Sequence, residues 1–361
     1  MKRVLFLVAD LCSRGAEHQM VTIATIMKKD GIDVSFFCYH TNNFFEQQLK
    51  DNGIPVTWKR LPNTMQRLFY VRRFIRKGHF DAVISFLQTD NLLNCFASLG
   101  SKRWKVITGE RSSKESLLTS RRGRIISTFM RKANYIVCNS ENARRMWLKH
   151  YPEYADKLRV IYNHVLLPET SNKYVLREGG KIHIIVAGAY SKVKNPVRLV
   201  EAISMLSEAE RSALQIDWYG KMNANEEATK IQEDCVKMVK QHNLSDCLVF
   251  HDAVKDIAQR MRSSDVVAIF SLWEGLPNSI CEAMALGKPV LMTRISDYAT
   301  LVDGNGLTCD PLDAHSISEA LCEVVSWDEN DLITKGQRSL ELANELFSGD
   351  KILGSWKALF E

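Results

Sequence analysis

Short, nearly continuous apolar runs rich in β-forming residues recur along this chain, and stretches with helical spacing fall between them. Val4–Ala9 is the first such run, and Ala16–Lys29 is the first helical stretch. Val34–Cys38, Ala82–Phe86, Val106–Thr108, Tyr135–Cys138 and Val160–Tyr162 repeat the run. A strand that is apolar on both faces needs cover on both faces, and strand–helix alternation supplies it as a parallel sheet wrapped by helices. The polar segment Pro168–Lys173 breaks the rhythm. The alternation restarts at Ile182–Ala187 and continues through Ile216–Tyr219, Leu248–Phe250, Val266–Phe270 and Pro289–Thr293. The chain has 361 residues, more than one hydrophobic core usually serves. The pattern predicts an α/β protein with two Rossmann-like doubly wound domains in tandem, residues 1–167 and 168–346, facing a central cleft. Ligands in such sheets bind beyond the carboxyl ends of the strands.

Charge is the informative bulk property. Residues 1–167 hold 28 Lys and Arg against 13 Asp and Glu, a surplus of fifteen positive charges; the remainder holds 20 against 29. A basic first half points to a polyanionic partner. Within it, Arg121, Arg122, Arg124, Arg131 and Lys132 flank Ile125, Ile126, Phe129 and Met130. A basic amphipathic stretch of this kind suits an anionic membrane surface, although the same apolar residues would serve equally well in a core. No nucleic-acid-binding module or aromatic stacking pattern is present, so nucleic acid is not expected as a partner. The opening apolar run is cut by Asp10, which reads as a first strand rather than a signal peptide, and no stretch approaches a membrane span. The nine cysteines are scattered with no Cys-x-x-Cys pair, as expected of reduced thiols in a cytosolic protein without a structural zinc site.

The densest chemical signal is the segment from Ser271 to Val290, which follows the run Val266–Phe270. Gly275 and Pro277 make a turn, and Asn278 or Ser279 is placed to cap a helix carrying Glu282 in its first turns and ending at Gly287. Glu274 then sits in a loop above the sheet, with Glu282 on the helix behind it. A helix N-terminus in such a place suits a diphosphate, Glu282 suits ribose hydroxyls, and Glu274 suits a sugar ring. Capping and surface charge explain most isolated Glu pairs, but not a carboxylate beside Gly and Pro at the top of a buried strand.

Glu-x7-Glu, set in Ser-x-x-Glu-Gly-Leu-Pro-Asn-Ser-x-x-Glu-Ala-Met-Ala-x-Gly-x-Pro-Val, resembles the hallmark of the retaining GT-B glycosyltransferases of family 4. Other segments match in the same order, so the resemblance covers nearly the whole chain. Gly188-Ala189-Tyr190-Ser191-Lys192-Val193-Lys194-Asn195 is similar to the family's donor-phosphate loop, with Lys194 at the diphosphate-contacting lysine and Asn195 beside it. Ala189 stands where the family carries arginine, leaving phosphate charge to Lys192, helix dipoles or backbone amides. Ser13-Arg14-Gly15-Ala16-Glu17 resembles the Gly-Gly-Ala-Glu loop. There Gly15 permits close approach of the donor, and Arg14 replaces a glycine and adds a cation. Asn139–Ala143 and Val160–Val165 look like family segments near the domain junction, with His164 in place of a common glycine. In Thr108-Gly109-Glu110-Arg111-Ser112-Ser113, Glu110 and Arg111 occupy the region where many relatives carry a histidine near the sugar. With Ile84–Leu87, this pair resembles the subgroup that builds capsule, O-antigen and protein-linked glycans.

The resemblance implies a retaining, metal-independent transferase that needs no cofactor and moves a hexose or N-acetylhexosamine from a nucleotide sugar, expected to be a UDP-sugar, to a polyprenyl-diphosphate-linked glycan. Glu274, Lys194 and Glu110 are expected at the chemistry. Glu282, Gly188, Asn195, Gly275, Leu276, Pro277, Asn278, Ser279 and Gly15 are expected at the donor. Arg14, Arg111, Arg121, Arg122 and Arg124 are expected on the acceptor and membrane side. No Asp-x-Asp is present to seat a metal–diphosphate clamp. The amphipathic tail 347–361 is expected to cross back to the N-terminal domain, and the protein to lie at the cytoplasmic face of the membrane. The rival readings are a sugar-nucleotide epimerase on the same plan and a non-catalytic nucleotide-sugar-binding protein, the latter favoured by Ala189.

Overall fold

The computed structural model describes residues 1–100, 102–112, 114–166 and 180–361. The polar segment Pro168–Lys173 and the expected boundary at 167–168 therefore lie outside the described residues, as does Ser113. The chain forms two compact units, Met1–His164 with Gly349–Glu361, and Val165–Ser348.

The first unit holds seven parallel strands: β1 (Arg3–Val8), β2 (Asp33–Cys38), β3 (Val56–Trp58), β4 (Ala82–Ser85), β5 (Lys105–Glu110), β6 (Tyr135–Cys138) and β7 (Leu158–Val160). Their order across the sheet is β3-β2-β1-β4-β5-β6-β7. The second holds β8 (Ile182–Ala187), β9 (Leu214–Tyr219), β10 (Leu248–His251), β11 (Val266–Ile269), β12 (Val290–Thr293) and β13 (Gly306–Cys309), ordered β10-β9-β8-β11-β12-β13. Both sheets reverse direction of growth at their first strand, the point at which doubly wound sheets open a crevice. Strands β4, β11 and β12 are buried along their whole length. β7 lies two residues earlier than the run Val160–Tyr162 suggests.

The two faces of the first sheet carry separate cores. One gathers Phe6, Phe36 and Ile84 with Ile352, Trp356, Leu359 and Phe360 of the chain's end. The other gathers Leu7, Val83, Val106, Ile126, Met130 and Trp147. The tail is a helix over Gly349–Lys357, and Trp356 is fully buried with its ring 5.9 Å from that of Phe86. Lys357 adds an ion pair to Asp30 at 2.8 Å. Replacing Trp356 with Ala removes a buried indole and leaves a cavity, so a loss of about 3–5 kcal/mol is expected. Urea unfolding followed by circular dichroism checks this. An unchanged midpoint would mean that the tail does not belong to the first unit's core.

Candidate active site

In the second unit, β8 and β11 are neighbours at the reversal point, and the loops leaving their carboxyl ends meet there. The β8 loop runs from Gly188 through a short turn at Lys192–Lys194 to the helix Pro196–Ser204. It is pinned along its length. Trp218 Nε1 donates to the Gly188 carbonyl at 2.8 Å, and the buried Tyr190 hydroxyl donates to the His251 carbonyl at 2.6 Å. Asn195 takes the left-handed conformation, φ 64°, and its amide donates to the Pro311 carbonyl at 2.9 Å. Ala189 and Lys192 are exposed. The β11 loop is pinned as firmly. The Leu272 N–H donates to the Val193 carbonyl at 2.7 Å, Thr293 Oγ1 to the Ser271 carbonyl at 2.7 Å, and Ser296 Oγ to the Gly275 carbonyl at 2.6 Å.

These anchors bring the Lys194 ammonium into direct contact with the Glu274 carboxylate, whose same oxygen accepts from Ser271 Oγ at 2.9 Å. Both side chains are partly open to solvent, at 26% and 18%. Such a pair is held lightly enough to be exchanged for another anion.

The helix that follows spans Asn278–Ala285, and here the cap expected at Asn278 or Ser279 is corrected. Pro277 occupies the capping position and supplies no side-chain cap, and Asn278 and Ser279 lie inside the helix's first turn. The fixed backbone of Pro277 sets this start. Glu282 consequently sits one turn in. It is partly buried and carries no ion pair among the described residues, and burial alone pushes its carboxyl up to about 7. Leu276 and Pro277 are buried, while Gly275, Asn278 and Ser279 are half-buried.

In the first unit, the helix Gly15–Lys29 starts directly beyond β1 with Gly15 in its first position. Arg14 lies over this start, paired with Glu17 at 2.6 Å and Asp10 at 3.3 Å. Its charge is thus shared with two acids rather than presented alone. Asp10, Cys12 and Glu17 bring one ligand atom each within 4.8 Å of one another. Burial and the neighbouring Asp10 push the Cys12 thiol up to about 12, which disfavours a thiolate there. Glu110 ends β5 with its carboxylate committed, accepting from the Ser112 N–H at 3.0 Å and Trp147 Nε1 at 3.2 Å. The Arg111 guanidinium lies over the Phe86 ring, 3.7 Å from its centroid, and donates to Asn163 Oδ1 at 3.3 Å. Burial pushes Arg111 down to about 9. Arg121, Arg122 and Arg124 are exposed on the helix Arg121–Phe129, together with Ile125; Ile126 and Met130 are buried.

Two family descriptions match the sequence: "Glycosyltransferase Family 4" over residues 13–167 and "Glycosyl transferases group 1" over residues 181–326. The chain is a GT-B glycosyltransferase. It is 22% identical over 295 residues to a Campylobacter jejuni α-1,4-N-acetyl-D-galactosaminyltransferase named for a diNAcBac-PP-undecaprenol-linked acceptor, covering 79% of this chain and 77% of that protein. It is also 22% identical over 373 residues to an uncharacterized glycosyltransferase of Haemophilus influenzae, covering 99% and 100%. Among solved structures, Anabaena HepE in complex with UDP superposes with a TM-score of 0.82 at 18% identity, covering 99% of each chain.

One buried acid of the glycosyltransferase has no counterpart in the expectations from sequence. Asp90, beyond β4, is buried and accepts from the Tyr39 hydroxyl, and burial pushes it up to about 7 despite that bond. Nothing in Gln88-Thr89-Asp90-Asn91 marks it, because its burial depends on Tyr39, 51 residues away.

The raised Glu282 carboxyl has a consequence for stability. The folded state holds this proton more tightly than the unfolded chain, whose carboxyl titrates near 4.5. Folding is therefore unpenalised below pH 4.5, and the penalty grows as pH rises to about 7. Glu282→Gln is expected to raise the melting temperature at pH 8 and to change it little at pH 5. Thermal denaturation at both values checks this, and equal shifts at the two would refute the uncompensated carboxylate.

Proposed function

We propose that this glycosyltransferase moves a hexose or N-acetylhexosamine from a UDP-sugar, with retention of configuration and without a metal, to a lipid-linked or polysaccharide acceptor in cell-surface glycan assembly. The observation that carries the reading is the contact between Lys194 and Glu274 at the β8–β11 reversal point, with Glu282 one helix turn beyond. A diphosphate arriving there competes with Glu274 for the lysine. Lys194 then meets the leaving group, where negative charge grows as the glycosidic bond breaks. Glu274, released, can accept hydrogen bonds from donor hydroxyls, and Glu282 from the ribose. The leaving phosphate takes the acceptor's proton on the same face, so the protein supplies positioning and charge rather than a nucleophile. The Campylobacter relative's named acceptor and the UDP complex of HepE support the substrate classes.

In the first unit, Asp10 and Glu17 already share the Arg14 guanidinium, which occupies the two carboxylates nearest Cys12. Glu110, whose carboxylate braces its own loop, acts in this scheme by holding Arg111 in place.

The test is a transfer assay on the full chain. Lys194→Ala is expected to lose about 2–4 kcal/mol of transition-state stabilisation, some thirty- to a thousandfold in turnover. Glu274→Gln is expected to keep nucleotide affinity and lose most transfer, while Glu282→Ala mainly weakens nucleotide binding. Excess EDTA is expected to leave the rate unchanged. Wild-type rates in all three variants would dispose of this site, and loss in EDTA with recovery in Mg²⁺ would dispose of the metal-free step.

The same reading places the protein at the cytoplasmic face of an anionic membrane, held by its basic half. Among the described residues no helix is long and apolar enough to cross a membrane. The helix Arg121–Phe129 contains no acid and exposes Arg121, Arg122, Arg124 and Ile125. The helix Thr64–Lys77 also lacks acids and exposes Met65, Phe69, Arg73, Arg76 and Lys77. Each basic residue near an anionic leaflet contributes about 1 kcal/mol, and the attraction fades beyond a Debye length of about 8 Å. Vesicle co-sedimentation is therefore expected to need anionic lipid, to collapse at several-fold higher salt, and to weaken when Arg121, Arg122 and Arg124 are replaced by Ser. Equal binding to neutral vesicles would assign the basic surface another purpose.

A further inference from the structure

Seven tryptophans punctuate the chain, and six have evident places in it. Trp104, Trp147, Trp218, Trp327 and Trp356 are buried, and Trp58 is half-buried with its Nε1 donating to Glu46. Trp273 differs: it is 41% exposed, and among the described residues its ring stacks on no other ring and its N–H has no hydrogen-bond partner. Flexibility of the surrounding loop does not account for this. The backbone is tied at Ser271 by Thr293, at Leu272 by Val193 and at Gly275 by Ser296, and the adjacent Glu274 is held by Lys194 and Ser271. A loop so pinned holds a large rigid apolar side chain in solvent, one residue from the carboxylate at the centre of the site. A fixed indole carries little conformational entropy to lose on binding, so its face is ready for a flat apolar partner.

We propose that Trp273 is a carbohydrate-stacking platform, its indole face receiving the C–H face of a hexopyranose ring beside Glu274. The inference rests on the reading of the neighbouring loops as a glycosyl-transfer site. A pyranose has the required two-sidedness, an apolar face for the indole and equatorial hydroxyls at its rim for a carboxylate such as Glu274. The ring belongs either to the donor sugar or to the acceptor sugar, and the two sources are separable.

The test is acrylamide quenching of tryptophan fluorescence in the full chain, where the exposed Trp273 dominates the accessible signal and Trp273→Phe identifies it. The probes are UDP, the UDP-linked forms of glucose, galactose, N-acetylglucosamine and N-acetylgalactosamine, and the methyl glycosides of the same sugars. Protection by a UDP-sugar beyond that given by UDP supports the platform and assigns it to the donor sugar. Protection by a methyl glycoside supports it and assigns it to the acceptor. Equal protection by UDP and UDP-sugars with none from any methyl glycoside, or no protection by any probe, overturns it. In kinetics, Trp273→Ala is expected to raise KM for the protecting substrate about tenfold while Trp273→Phe stays near wild type. Equal effects of Ala and Phe would overturn the stacking role. A UDP-sugar that fails to raise the wild-type melting temperature would count against the donor-site reading instead, so the two failures are told apart.

Discussion

Burial of the central strands on both faces is the constraint from which the rest of this glycosyltransferase follows. β4, β11 and β12 present no residue to solvent, and Val4–Val8 of β1 are likewise buried. Strands of this kind cannot carry chemistry along their length, because every buried polar group there would need a partner. Chemistry is displaced to the strand ends, and parallel pairing gathers all the carboxyl ends of a sheet on one edge. Lys194 and Glu274 are 80 residues apart and meet because β8 and β11 are adjacent and parallel. The hydrogen bonds from Trp218, Tyr190, Thr293 and Ser296 convert that adjacency into fixed loop positions.

The Lys194–Glu274 contact has a modest net worth, since both groups are partly hydrated and lose side-chain freedom in pairing. That modesty suits an exchange of partners. Glu282 differs in kind. Its carboxylate is desolvated with no ion pair among the described residues, a cost that hydrogen-bond donors would relieve. On the proposed donor-site reading, an ion pair easily broken and a carboxylate poorly solvated are complementary preparations for the same ligand.

The fold is legible in the sequence where local pattern carries the information. The buried strands are apolar runs, and the loop from Ser271 to Asn278 is marked by Gly275 and Pro277. It is not legible at the edges. β3 has only three residues, Val56-Thr57-Trp58, and β13 opens on Gly306, so neither shows a continuous run. In β7 the exposed Arg159 interrupts the apolar pattern, so the unbroken run in the sequence is Val160–Tyr162 instead. The cap of the helix Asn278–Ala285 is not legible, because Asn278 and Ser279 are favoured caps, yet Pro277 ahead of them takes the capping position. The orientation of Glu110 toward Trp147, 37 residues away, is long-range information that the Thr108–Ser113 segment does not contain.

In the proposed donor site, Ala189 poses an electrostatic question. A diphosphate brings two negative charges to a unit whose sequence carries a surplus of acid, and Lys194 is already neutralised by Glu274. Separating that pair frees one positive charge but also one negative charge close by, so the exchange itself contributes little net attraction. The attraction must come from groups with no acid to lose. Lys192 is exposed on the same loop and has no ion pair among the described residues. The start of the helix Asn278–Ala285, where Pro277 supplies no side-chain cap, adds the partial positive charge of a helix terminus. Both are near solvent and screened by salt, whereas an arginine fork would hold phosphate bidentately. A donor held by such screened charges gains much of its affinity from the nucleoside and the sugar. On the proposed donor-site reading, Glu282 and the loops around Glu274 carry more of the discrimination among donors than the phosphate loop does.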